Sequence, residues 1–262
     1  LPPSGFSGCS SLKSIEIPEG VNRIPYECFK GCTQLSSVRH LGAIKNIEGS
    51  AFEFCSALKH FDLSAIVGYE QEQSGLGGDA FRGSGLTSVT IPETVRRIPD
   101  AVFAGCKDLT TVVLHDNITS IGDNAFGTLS YYDEDTDEEI ILSCSSLKSI
   151  TLPQNLESIG YSAFRGSAIE GEVIAGTSVK ALVIPAKVTR IGYDAFNRCS
   201  NLSAVKMLPM YPPEISHDSF MENTAIYVNP EAIEAYKSSY YWSDYYTILP
   251  YDMMSFSLGV EF

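Results

Sequence analysis

Phe103-Ala104-Gly105-Cys106-Lys107-Asp108-Leu109-Thr110-Thr111-Val112-Val113-Leu114-His115-Asp116-Asn117-Ile118-Thr119-Ser120-Ile121-Gly122-Asp123-Asn124-Ala125-Phe126 runs from one phenylalanine to the next, and its form returns along the chain. The anchoring residue recurs at Phe6, Phe29, Phe52, Phe81, Phe103, Phe126, Phe164, Phe196 and Phe220, with a basal spacing of about 23 residues. A register of that length marks a solenoid, in which each coil stacks only on its neighbours. The unit generalises to F-x-G-C-x-x-L-x-S-I-x-I-P-x-x-V-x-x-I-G-x-x-A-F, and Phe6 to Phe29 and Phe81 to Phe103 are further clean copies.

Within the unit, Leu12-Lys13-Ser14-Ile15-Glu16-Ile17-Pro18 alternates apolar and polar side chains, so it fits a short strand with Ile15 and Ile17 inward. Pro18 has no amide to donate to a ladder and turns the corner. Equivalent strands are expected from Leu35, Leu58, Leu86, Leu109, Leu147, Val179 and Leu202. Their central inward column is Ile15, Val38, Phe61, Val89, Val112, Ile150, Leu182 and Val205. A second column, five residues before each Phe, is Ile24, Ile47, Leu76, Ile98, Ile121, Ile159, Ile191 and Ile215. With the Phe ladder these columns predict one elongated core that no single unit could build.

The motifs Ile150-Thr151-Leu152-Pro153 with Ile159-Gly160-Tyr161-Ser162-Ala163-Phe164, and Ile184-Pro185 with Ile191-Gly192-Tyr193-Asp194-Ala195-Phe196, resemble the leucine-rich repeats of the BspA-like bacterial surface protein family. The resemblance runs from Phe6 to about Pro250. It implies a leucine-rich repeat solenoid of right-handed stacked coils with one parallel β-sheet and a short C-terminal helical cap. It also implies export or lipid anchoring at the surface of gut and oral bacteria, with adhesion to host proteins or other cells as the assigned roles.

The expected organisation is a solenoid over residues 1–226, with insertions near 68–75, 128–142 and 166–176, and a capping segment over 227–262. The insertions lengthen the intervals after Phe52, Phe126 and Phe164 to 29, 38 and 32 residues. Such loops emerge on one side of a solenoid and often supply recognition. Glu170 to Ile174 reads as a short additional strand. Asn229-Pro230-Glu231 is a helix N-terminus, since Asn caps and Pro tolerates the first turn. Tyr236, Trp242 and Tyr245 are expected to seal the core, with an aromatic platform for a sugar as the alternative. Met253 to Phe262 is unusually apolar for a tail and reads as an edge strand or a contact surface. The chain opens inside a repeat, so an export signal or lipid anchor is expected upstream.

The formal charge of −14 works against a nucleic-acid partner. The outward strand column Glu16, Arg39, Asp62, Thr90, Val113, Thr151, Val183, Lys206 is chemically mixed. The next, Ser14, Ser37, His60, Ser88, Thr111, Ser149, Ala181, Ala204, is small, which leaves a flat accessible face or simply relieves crowding between coils. Six of the seven cysteines, Cys9, Cys32, Cys55, Cys106, Cys144 and Cys199, occupy one repeat slot, so packed free thiols are expected rather than disulfides or zinc. Cys28 takes a slot normally held by Ala and is expected to be packed as well.

No G-x-S-x-G, phosphate-binding loop or H-E-x-x-H is present, and Glu16 and Asp62 stand two coils apart, about 10 Å, so no enzyme is expected. The expected function is non-catalytic recognition or adhesion, extracellular or at the outer surface. The ligand is a host or bacterial surface protein or a matrix component; a carbohydrate-binding module and a ligand-free spacer are the alternatives. Contact candidates are Arg39, His60, Asp62, Tyr131 and Tyr132. No cofactor is expected unless calcium binds the acidic insertion, where Asp133, Asp135 and Asp137 are the first candidate ligands. No apolar run reaches the roughly 18 residues of a membrane span, and a monomer is expected.

Overall fold

The computed structural model describes residues 1–66, 75–133, 136–175 and 177–252. They form a β-solenoid of stacked parallel coils, as the Phe register requires. Phe29, Phe52, Phe81, Phe103, Phe126, Phe164, Phe196 and Phe220 are all buried, and Phe6 is half-buried in the first coil. Successive rings stack from Phe6–Phe29 at 5.3 Å to Phe196–Phe220 at 5.2 Å. All eight members of the Ile24 column are buried. The central column is buried from Phe61 to Val205, while Ile15 and Val38 are half-covered at the N-terminal end.

Each coil presents three sides. On the first, Ser14–Ile17 pairs with Ser37–His40, Ser88–Thr90 with Thr111–Val113, and Lys180–Ile184 with Ala204–Met207, Ala225–Val228 and Ile248–Pro250, all parallel. On the second, Arg97–Ile98, Ser120–Ile121, Ser158–Ile159 and Arg190–Ile191 form a four-stranded parallel ladder. Two parallel ladders therefore flank the core, and the strand-face ladder is divided. The strands expected from Leu58 and Leu147 do not form; after Leu58 the chain enters the 3-10 turn Leu63–Ala65, and Leu147 follows the hairpin Leu129–Asp133 and Glu138–Leu142.

The third side is the Phe turn. Its amides join coil to coil, as in Phe103 N–H to Ala125 O at 2.9 Å and Phe126 N–H to Ala163 O at 2.7 Å. This geometry needs positive φ two residues after Phe, where Gly8, Gly31, Gly83, Gly105 and Gly166 sit, but Phe54 and Arg198 adopt it too. The thiol slot behaves as expected. Cys32, Cys55, Cys106, Cys144 and Cys199 are buried, and each donates its S–H to a Phe carbonyl one coil back, at 3.0 to 3.3 Å. Cys28 is buried as well, whereas Cys9, in the first coil, is exposed.

The C-terminal segment closes the core with the short helices Ile233–Lys237 and Tyr240–Tyr245. Asn229 caps the preceding turn by accepting from Glu231 N–H at 3.0 Å. Tyr236 and Trp242 are fully buried; the Tyr236 hydroxyl donates to Pro209 O and the Trp242 indole N–H to Pro213 O. Both act as a seal, not as the exposed sugar platform entertained for this segment. Tyr246 stacks edge-on against Phe220 at 5.8 Å and so ends the Phe ladder. The Tyr245 side chain and Met253 to Phe262 lie outside the described residues. No described helix is long and apolar enough to cross a membrane.

Candidate recognition surface on the strand face

The strand face opens where its ladder is divided. At the first opening, the Asp62 carboxylate accepts from Ser64 N–H at 2.9 Å and starts a 3-10 turn, Leu63–Ala65, in place of a continuing strand. Those bonds hold its carboxyl below the usual range. A cleft of about 380 Å³ results, lined by His60, Asp62 and Ser64 on one side and Ser88, Thr90 and Glu93 on the other. His60 is exposed at its rim. The His40 Nε2–H donates to Asp62 O, 3.2 Å away, and the ring tilts against Phe61.

The second opening, about 540 Å³, lies between Ile150 and Leu152 on one coil and Val183 and Pro185 on the next, with Leu208 of the coil after that at its edge. The insertion after Phe164 spans it. Glu170 N–H donates to Lys148 O at 3.0 Å, and Glu172–Val173 pairs antiparallel with Lys180 and Ala181, the short strand expected there. Ala181 and Ala204, read as part of an accessible small-residue column, are buried beneath a second cluster containing Ile174, Tyr227 and Tyr251. This half of the face is covered; the half from Ser14 to Thr111 is open.

The five contact candidates do not share one site. Asp62 and His60 line the first cleft, but Arg39 is tied to Glu16 at 3.1 Å on the exposed strand beside it. Tyr131 and Tyr132 belong to an antiparallel hairpin, Leu129–Asp133 with Glu138–Leu142. The hairpin folds back over the Phe turn. A Cβ on Gly105 would stand 2.7 Å from the Leu129 side chain, and Tyr131 meets Phe54 edge-on at 5.2 Å. Tyr132, on the outer face, is 59% exposed, and its hydroxyl donates to Asp137. The Asp133 side chain and Asp135, the other two expected calcium ligands, lie outside the described residues. No group of three or more metal-ligating side chains occurs among the described residues.

The Phe54 contact explains a bulky residue in a glycine slot. Phe54→Gly relieves about 1 kcal/mol of backbone strain but forfeits the ring contact and the half-buried ring's apolar area, about 2 kcal/mol together, so the melting temperature should fall only modestly. Amide exchange across residues 129–142 should instead speed up clearly; unchanged exchange there would show that Phe54 does not anchor the hairpin.

These features define a leucine-rich-repeat solenoid whose strand face is opened by insertions. Residues 1–74, 74–180 and 167–241 match the family described as BspA type leucine rich repeat region, in six copies, and the chain belongs to that family. It is similar to a leucine-rich repeat protein from Bacteroides ovatus (22% identity over 90% of this chain and 67% of that one, TM-score 0.51). A leucine rich cell surface protein from Faecalibacterium prausnitzii gives 23% identity over 95% and 83%, with TM-score 0.51. The pneumococcal vaccine antigen PcpA gives 17% over 92% and 68%, with TM-score 0.53. At these identities the likeness is one of fold. No curated protein matches the chain.

Proposed function

We propose that this chain is a non-catalytic recognition module, secreted or displayed at a bacterial surface, that binds a protein or matrix ligand through the open half of its strand face. The observation that carries the reading is the cleft between His60–Ser64 and Ser88–Glu93. An uninterrupted ladder would offer a flat face, whereas the parted coils give a concave site with a histidine, two carboxylates and three hydroxyls at its edges. That mixture suits a polar protein surface more than a deep apolar ligand. The likeness to the Faecalibacterium protein, a cell surface protein, supports the location.

The test is binding of the purified chain to a panel of host matrix proteins and bacterial surface proteins, with and without calcium. A saturable hit is the expected result. A calcium requirement would point to the aspartates of the hairpin on the Phe turn and count against the cleft. Silence across the panel would overturn the reading in favour of a spacer without its own ligand.

A further inference from the structure

The second ladder carries a groove of about 400 Å³ on the side of the molecule away from the strand face. One wall is a row of four residues in hydrogen-bonded register, Arg97, Ser120, Ser158 and Arg190. At roughly 4.8 Å per coil, the two arginines stand about 14 Å apart along the solenoid axis. The facing wall is Asp100, Asp123, Tyr161 and Tyr193. The floor between them is glycine: a Cβ on Gly160 would lie 2.5 Å from Asp123 Oδ1 and 2.6 Å from Asp123 N.

Three properties of this groove select a ligand. First, neither the Arg97 nor the Arg190 guanidinium has an ion pair or hydrogen bond among the described residues, in a chain with 32 acidic and 18 basic residues. Asp100 and Asp123 on the facing wall balance the groove's charge, but each guanidinium, bare on its own wall, matches a carboxylate in a bidentate fork. Second, the floor's main chain is already used. Gly122 N–H donates to Ile98 O, Gly160 N–H to Ile121 O and Gly192 N–H to Ile159 O, all at 2.8 to 2.9 Å. An extended peptide would find no free amides with which to add a strand, so recognition must run through side chains.

Third, the facing wall combines acceptors with an open aromatic face. Asp100 Oδ1 accepts from Asp123 N–H and Asp123 Oδ1 from Tyr161 N–H, which leaves one oxygen of each carboxylate free for hydroxyl donors. Tyr161 stacks on Tyr193 at 5.5 Å, and Tyr193 in turn meets His217 at 5.8 Å. The coil before Tyr161 holds only Asp123 at that position, so the other face of the Tyr161 ring is open, and the residue is 49% exposed.

We infer that this groove binds a short carboxylate-bearing oligosaccharide lying along the solenoid axis. Arg97 and Arg190 take sugar carboxylates, Ser120 and Ser158 with the free aspartate oxygens take hydroxyls, and the open Tyr161 face packs on the apolar side of a ring. The chain's net charge of −14 repels anions at long range, so affinity resides in contacts inside the groove and association is not steered. The site is on a different face from the protein-binding cleft and stands or falls separately from it.

Calorimetric titration of the whole chain with trigalacturonic acid, sialyllactose and neutral galactotriose tests this. Saturable binding of one acidic sugar is expected, the two arms separating a uronate from a sialate source, with galactotriose at least about tenfold weaker. Arg97→Gln and Arg190→Gln should each weaken binding about tenfold, the loss expected for one charge-assisted hydrogen bond. Tyr161→Ala should weaken it independently of charge, and Arg39→Gln, on the strand face, should bind like the wild type. All three arginines are exposed, so the melting temperatures of their variants should match the parent. The inference is overturned if neither acidic sugar saturates, if Arg39→Gln loses as much as Arg97→Gln, or if a polyglutamate peptide binds as tightly as the sugar.

Discussion

Phe103→Ala is expected to lower the stability of the chain by about 4 kcal/mol and to split its thermal unfolding into two steps. Phe103 is fully buried and stacked between Phe81 at 5.9 Å and Phe126 at 5.5 Å, so truncation removes contacts to both neighbours and leaves a cavity in the core. In a globular domain that loss would be shared by the whole core. Here each coil packs its core on its immediate neighbours, so the cavity falls on the core link between the coils before and after it, bridged from outside only by surface contacts such as Tyr131 on Phe54. Calorimetry should show a broadened or double transition, and Phe6→Ala, in the half-buried first coil, should cost clearly less. A single sharp transition for Phe103→Ala, displaced by no more than that of Phe6→Ala, would contradict the nearest-neighbour picture.

The second large effect is alkaline unfolding. Burial pushes the thiols of Cys106 and Cys199 up to about 11, and those of Cys32, Cys55 and Cys144 also upward. Burial likewise raises the hydroxyls of Tyr246 and Tyr251 to about 12. The folded chain thus holds these protons more tightly than the unfolded chain, whose thiols titrate near 8.5. The resulting stability is fully present below about pH 8.5 and is lost as pH rises toward 11. Cys106 and Cys199 alone each account for on the order of 3 kcal/mol once the unfolded thiols are ionised, against a typical total of about 5–15 kcal/mol. Circular-dichroism melts should be flat in pH up to about 8.5 and fall steeply above it. A melting temperature unchanged at pH 11 would mean that these thiols are not buried as described.

The core was legible in the sequence because it is periodic. Phe29 through Phe220 and Ile24 through Ile215 could be aligned by counting, and every one of them is buried. Trp242 and Tyr236 were legible as a seal because the repeat ends just before them. The departures were not, because they depend on where an insertion sends the chain. Phe61 and Ile150 hold inward positions as expected, yet no strand forms around them on the strand face, and only the Asp62 cap on Ser64 and the path of Glu170–Val173 show why. The hairpin left a faint signal in Tyr131 and Ile140 flanking an acidic tip, but its docking on Phe54, three repeats earlier, joins residues too far apart in sequence for any spacing rule.

The row Arg97, Ser120, Ser158, Arg190 was missed for a different reason. It lies on the second ladder, whose outward residues carry no repeat consensus and surface only when the residues before each column isoleucine are aligned. The positive-φ slot two residues before a Phe does leave a trace, since Ser4, Glu27, Ser50, Asp79, Asn124, Ser162 and Asp194 are all polar and Ala101 alone departs. What the consensus builds is the core; what it leaves free is where recognition is placed.

The most direct test of that placement is the affinity of a panel-identified protein ligand for Ser88→Trp compared with the parent chain. Ser88 is exposed on the strand face and lines the first cleft, so an indole there fills the cleft without disturbing the core. The account predicts at least about a tenfold loss of affinity at an unchanged melting temperature, with Tyr132→Ser on the remote hairpin retaining binding. Undiminished binding by Ser88→Trp, or loss confined to Tyr132→Ser, would contradict it.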